Sequence, residues 1–169
     1  VQLAYKNTEA QHDSAVPTSA EVQDTAGQAL YQLGTGNYDE AAKLSLEENI
    51  IKEVMTRYNS GPGKNQTPIR MYHDAVLKIA EKEGKTEQYI ALALMFGKCV
   101  EAAEATEKKG DITAAIKILE DYAIAKRDDS GESYQKAADI ARRNGLEDEE
   151  IRLFRKYALW LKSKERRSI

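Results

Sequence analysis

Apolar residues recur every three or four positions along most of the chain, which is the period of an amphipathic helix. The pattern predicts seven helices separated by short polar or glycine-containing breaks. Their predicted ranges are about 19–33, 38–58, 68–83, 86–109, 112–122, 132–144 and 147–164. No run of residues combines β-branched enrichment with strict alternation of apolar and polar positions. The sequence therefore predicts an all-α protein.

The breaks between the predicted helices are short, so neighbouring helices should run antiparallel and form helical hairpins. Before Pro17 the sequence is polar and has no sustained period. We therefore expect a loose N-terminal arm over residues 1–17 and a single helical-repeat domain over residues 18–169. In this domain about seven antiparallel helices would stack as hairpins, and a closed helical bundle is the alternative.

Glycine-containing turns recur along the chain. The turns at Gly36, Gly110 and Gly145 are each followed within six residues by an amphipathic helix, and Gly84 begins a looser copy. Gly110 and Gly145 lie 35 residues apart, which falls within the period of helical-hairpin repeats. A nucleotide-binding loop at Gly36 is disfavoured, because a helical pattern and not a strand precedes it. These glycines are therefore interpreted as helix-to-helix turns.

Two of these segments carry a family resemblance. The segments "GNYDEAAKL", from Gly36, and "GDITAAIKIL", from Gly110, resemble the turn and second helix of the tetratricopeptide repeat. The resemblance is good over residues 99–157 and partial over residues 22–48, where Ser45 stands in place of an aromatic residue. It implies an α-solenoid of stacked helical hairpins.

The resemblance also implies a binding surface, because first-helix side chains of such hairpins line a concave groove for a protein or peptide. In this chain the groove would include Val100, Glu104, Glu107, Gln135, Asp139 and Arg142. The charges of this surface are mixed to acidic, which favours a basic or amphipathic peptide. We therefore expect a non-catalytic scaffold or adaptor module that binds another protein.

Two other functions remain open. The first is a structural or oligomerisation subunit of a larger homo- or hetero-oligomeric assembly. The last helix carries Ile151, Phe154, Tyr157, Ala158 and Leu161 as its apolar stripe. Trp160 lies off this stripe and, with Leu161, would form an assembly surface. The second is a helix-turn-helix around Gly145 that binds nucleic acid, which the four carboxylates of residues 147–150 oppose.

Composition and charge make several classes of function less probable for this chain. The 169 residues carry a net charge of -3, so the overall charge does not favour binding to nucleic acid or to an anionic membrane. No apolar run approaches the roughly 18 residues that cross a bilayer. Cys99 is the only cysteine, which excludes an intrachain disulfide and is compatible with a cytoplasmic protein. Neither His12 nor His73 has a second ligand at metal-binding spacing. We expect no catalytic, metal-binding or cofactor-binding residues.

Overall fold

The computed structural model describes residues 24–61, 66–125 and 130–165, and these ranges are helical with no strand. The predicted all-α class is therefore confirmed. The nine helices of the described ranges are α1 Thr25–Gly34, α2 Tyr38–Leu44, α3 Glu48–Ser60, α4 Gln66–Lys82, α5 Thr86–Met95, α6 Cys99–Lys108, α7 Ile112–Ala125, α8 Ser130–Arg143 and α9 Glu147–Glu165. The predicted arm over residues 1–17 lies outside the described residues.

The chain forms more helices than the seven predicted because two of the predicted helices are each interrupted. The predicted helix over residues 38–58 is α2 followed by α3, and that over residues 86–109 is α5 followed by α6. Gly97 has a φ of +72°, a left-handed conformation that ends α5. Ser45 has left the helical region, with φ −119° and ψ 31°, and its backbone N–H bonds to the Ala42 carbonyl at the end of α2.

Five turns share one hydrogen-bond pattern. Their glycines, which all have a positive φ, are Gly36, Gly84, Gly97, Gly110 and Gly145. In each turn the residue after the glycine donates its backbone N–H to the carbonyl five residues earlier, at 2.8 to 3.2 Å. This is the Schellman arrangement, which satisfies carbonyls left open at a helix end. The four predicted turns are thus confirmed, and the turn at Gly97 adds a fifth.

The chain divides into two compact units, Val1–Ile79 and Ala80–Ile169, which we call the N-terminal unit and the C-terminal unit. The boundary falls inside α4. In the N-terminal unit, α1 packs against α2 and α3. Asp24 caps α1 by accepting a 2.7 Å hydrogen bond from the Gly27 N–H. The same carboxylate accepts two hydrogen bonds from Arg57 of α3, which joins the ends of these helices.

In the C-terminal unit each helix from α5 to α9 packs against the next one, and α6 also contacts α8. The core contains many alanines, which let helix backbones approach closely. Its buried residues are Ala103, Ala115, Ile116, Leu119, Ala137, Ala138, Ile140, Ala141 and Leu153. In this unit the helices therefore pack against one another in the order in which they follow along the chain.

The buried face of α9 differs from the predicted one. Ile151 and Leu161 are 50 % and 42 % exposed, whereas Leu153 is completely buried. Trp160 is half-buried and lies over the backbone of Gly131, where an added Cβ would come within 2.2 Å of the indole ring. The prediction failed because two apolar stripes fit this helix, and the groove that Gly131 leaves for the indole selects the stripe containing Trp160.

Candidate peptide-binding surface

An open cleft of about 320 Å³ lies where the end of α4 meets α5 and α6. It is lined by Glu81, Thr86, Glu87, Tyr89, Glu101, Glu104, Ala105, Lys108 and Lys109. The four residues from α6 have the spacing i, i+3, i+4 and i+7, which places them on one face of that helix. We call this feature the Tyr89 cleft. All of its lining residues belong to the C-terminal unit.

The Tyr89 cleft holds four carboxylates and two ammonium groups. Glu87 forms an ion pair with Lys109, and Glu101 lies 3.9 Å from the Nζ of Lys98. Glu81 and Glu104 have no ion-pair partner among the described residues. Two carboxylates at the rim of the cleft are therefore available to a cation from outside.

Tyr89 is half-buried in the cleft and experiences the negative potential of its neighbours. Burial raises the pKa of the Tyr89 hydroxyl, and the carboxylates of Glu81, Glu101 and Glu104 raise it further. The ammonium of Lys98 acts in the opposite direction. Glu81, Glu101 and Glu104 line the same cleft as Tyr89 and make the potential at its ring more negative, which favours a lysine or arginine side chain there.

The structure places the three predicted residues of α6 in different surroundings. Val100 packs against the core of the C-terminal unit, and Glu104 lines the Tyr89 cleft. Glu107 accepts hydrogen bonds at 2.6 Å from Arg143 Nε and at 2.7 Å from Asn144 Nδ2. The hydrogen bond from Arg143 lowers the pKa of Glu107 more than burial raises it. Glu107 therefore joins α6 to α8 and is already engaged.

The predicted residues of α8 are also dispersed. Gln135 is exposed, and Asp139 accepts a 3.2 Å hydrogen bond from Arg142. Arg142 in turn bonds to Glu150 at 2.7 Å, and its guanidinium lies 5.4 Å from the centroid of the Phe154 ring. Arg142 is thus directed toward the start of α9.

Arg143 connects the predicted residues, although the sequence did not indicate it. Its hydrogen bond to Glu107 raises the pKa of Arg143, and the charges of Glu104 and Asp139 contribute as well. Of the predicted residues, Glu107 therefore contacts Arg143 directly, whereas Val100 is partly buried against the core. The cleft residues other than Glu104 were missed because the cleft depends on where α4 ends, which no local pattern reveals.

A second groove lies between α7 and α9. It differs from the Tyr89 cleft because its charged groups are paired with one another. Glu120 accepts hydrogen bonds from Arg152 at 2.9 and 2.6 Å and from Lys156 at 2.5 Å. Burial acts to raise the pKa of Glu120, but these hydrogen bonds and the two cations outweigh it and lower the pKa. These groups are engaged with one another, so this groove offers less free charge to a ligand than the Tyr89 cleft.

Other kinds of site have little support within the described residues. In residues 24–61, 66–125 and 130–165, no group of three or more His, Cys, Asp or Glu side chains is placed to hold a metal ion. Among the described helices, none combines the length and the apolar character needed to cross a bilayer. In the first turn of α9, Glu149 and Glu150 pair with Arg152 and Arg142. These acidic groups oppose a role for this helix in nucleic-acid recognition.

Comparison with known proteins finds no matching family model, no matching curated protein and no matching solved structure.

Proposed function

We propose that the C-terminal unit is a non-catalytic protein-interaction module and that its Tyr89 cleft binds a basic, amphipathic segment of a partner. The observation that carries this proposal is the pair of unengaged carboxylates, Glu81 and Glu104, beside the half-buried ring of Tyr89. An arginine or lysine of the partner would place its charge between the carboxylates and its aliphatic stem against Tyr89 and Ala105.

The energetics imply a partner with several contacts. An exposed ion pair contributes about 0.2–1 kcal/mol, and an exposed cation–π contact contributes about 0.5–1 kcal/mol. Micromolar affinity corresponds to about 8 kcal/mol, so one basic side chain in the Tyr89 cleft is not sufficient. A helical partner with an apolar stripe beside its basic residues would supply the additional contacts.

A tetratricopeptide-like solenoid is the architecture that we propose for this function. Support comes from the packing of α5 to α9 in chain order, from the contact of α6 with α8, and from the repeated glycine turns. In such an arrangement α6 and α8 share one side of the solenoid. The binding surface would then continue from Glu104 in the Tyr89 cleft toward Glu107 and Asp139.

Fluorescence anisotropy with a labelled synthetic peptide tests the proposed function. The probe is a short amphipathic helix of leucine and lysine residues, and its matched control replaces each lysine with glutamate. We expect the basic probe to bind at low salt and the acidic one not to bind. Affinity should decrease as salt is added, because exposed charges are screened.

Variants of the chain locate the binding site. Reversing both carboxylates with Glu81→Lys and Glu104→Lys should weaken binding of the basic probe by about tenfold or more. Glu40→Lys is the matched control, because Glu40 is an exposed glutamate in the N-terminal unit. Equal affinity for the two probes, or equal effects of cleft and control variants, would contradict the proposal.

A further inference from the structure

The outward face of α9 is an exposed helix face that combines apolar and basic residues. Its members are Ile151, Arg155, Ala158, Leu159 and Lys162, and all five are exposed. Ile151 and Leu159 are 50 % and 69 % exposed, a large fraction for aliphatic side chains of this size. Arg155 and Lys162 have no ion-pair partner in the described part of the chain. We call this surface the α9 face.

The α9 face and the Tyr89 cleft lie on different helices of the C-terminal unit. Helix α9 packs against α8, and α8 contacts α6, which lines the cleft. The five residues of the α9 face are exposed, so this face does not fill the cleft of its own molecule. The cleft of a second molecule is therefore the one that it could enter.

We infer that the α9 face docks into the Tyr89 cleft of a second copy of this chain. Charge complementarity selects this occupant, since Arg155 and Lys162 would meet Glu81 and Glu104, and all four groups lack an ion-pair partner in the described part of the monomer. Leu159 and Ile151 would supply the additional apolar contacts that binding requires beyond one basic side chain. The inference rests on the proposed function, because it makes α9 of the second copy the basic, amphipathic helix that the cleft binds.

The two docking surfaces are different, so the contact is heterologous. A molecule that uses its α9 face still has a free Tyr89 cleft, and its partner still has a free α9 face. Such contacts form open chains, or rings where the rotation closes. A small interface of this kind is expected to be weak, so association should depend on protein concentration and decrease at high salt.

Sedimentation equilibrium of the full chain at low salt tests this inference. We expect the average mass of the wild type to rise with concentration. A face variant, Arg155→Glu with Leu159→Glu, and a cleft variant, Glu81→Lys with Glu104→Lys, should each weaken self-association at least tenfold. Lys78→Glu and Met71→Glu are matched controls at exposed positions of α4 and should associate like the wild type.

Mixing the two variants gives the decisive measurement. The face variant retains an intact cleft and the cleft variant retains an intact α9 face, so an equimolar mixture should form heterodimers. Circular dichroism of each variant establishes that its helices are retained. The inference is overturned by a wild type that stays monomeric at every concentration, or by a mixture that stays monomeric. It is also overturned if the face variant alone is impaired, since α9 would then contact another surface.

The peptide probe separates this inference from the proposed function. The face variant has an unchanged cleft and should bind the basic probe with wild-type affinity. If the wild type binds the probe but stays monomeric, the self-association inference fails and the proposed function stands. If the wild type associates through both surfaces but binds no probe, the inference stands and the proposed adaptor function fails.

Discussion

The hydroxyl of Tyr72, on α4, is hydrogen-bonded to Oγ of Ser45, the residue that follows the last turn of α2. Both residues are completely buried. Ser45 Oγ donates its single hydrogen to the Ala41 carbonyl at 2.8 Å, so Tyr72 must be the donor in the bond between the two side chains. Ser45 therefore both ends α2 and provides a buried acceptor that fixes α4 against it.

Removing this donor should destabilise the N-terminal unit. Tyr72→Phe is expected to lower the free energy of unfolding by about 0.5–1.5 kcal/mol, the usual net contribution of a hydrogen bond. Ser45→Ala should cost more, about 1–3 kcal/mol, because the buried Tyr72 hydroxyl would lose its acceptor. Urea denaturation measures both changes. Tyr31→Phe, at an exposed tyrosine, is the control and should change stability by less than about 0.5 kcal/mol.

The same tyrosine predicts how stability depends on alkaline pH. Burial raises the pKa of Tyr72 from 10.0 to about 12. The folded state therefore retains a proton that the unfolded state releases above pH 10. Stability from this group is complete below pH 10 and decreases by about 1.4 kcal/mol per pH unit as the pH rises toward 12.

Urea denaturation at pH 9 and pH 11 tests this dependence. The wild type should lose stability over this interval, and Tyr72→Phe should lose about 1 kcal/mol less because its ring has no proton to release. Tyr31→Phe serves again as the control and should follow the wild type. Parallel pH curves for the wild type and Tyr72→Phe would show that Tyr72 does not titrate in this range.

A side chain at Gly97, in the left-handed turn between α5 and α6, should lower stability through backbone strain and not through a steric clash. Nothing lies within 4 Å of a Cβ added at Gly97, whose φ is +72°. Gly97→Ala should therefore destabilise the C-terminal unit by about 1–2 kcal/mol through strain alone. Gly61→Ala is a matched control, because its φ is −75° and the new Cβ would make ordinary contacts at 3.5 Å. Thermal unfolding should show a loss for the first variant and no loss for the second.

Because Gly131 contacts Trp160, the effect of a substitution at Gly131 on stability should depend on the residue at position 160. Gly131→Ala places a methyl group against the indole ring and should cost about 1–3 kcal/mol through overpacking. In a Trp160→Ala background the same change should be neutral or stabilising, since the ring is gone and alanine favours helix over glycine. A double-mutant cycle by chemical denaturation measures this coupling. Equal costs in the two backgrounds would exclude the contact.

Local patterns in the sequence predicted the helical class and the turns, because helical periodicity and glycine turns are properties of short segments. The break at Gly97 was missed because apolar periodicity continues across it from Phe96 to Val100. The buried stripe of α9 was misassigned because the choice depends on Gly131, which is distant in sequence from Leu153. The Tyr89 cleft was not predicted for the same reason, since Glu81 and Glu104 come from different helices.

The glycine turns of the C-terminal unit have a consequence for proteolysis. Only three residues separate α4 from α5, α5 from α6, and α6 from α7. In each of these connections the N–H that follows the glycine is bound to a helix carbonyl. Proteases cleave chain that enters their active sites in an extended form, and none of these connections is long enough to extend while its helices remain intact. Cleavage between residues 83 and 111 therefore requires a helix to unwind first, so its rate reports local unfolding of this unit.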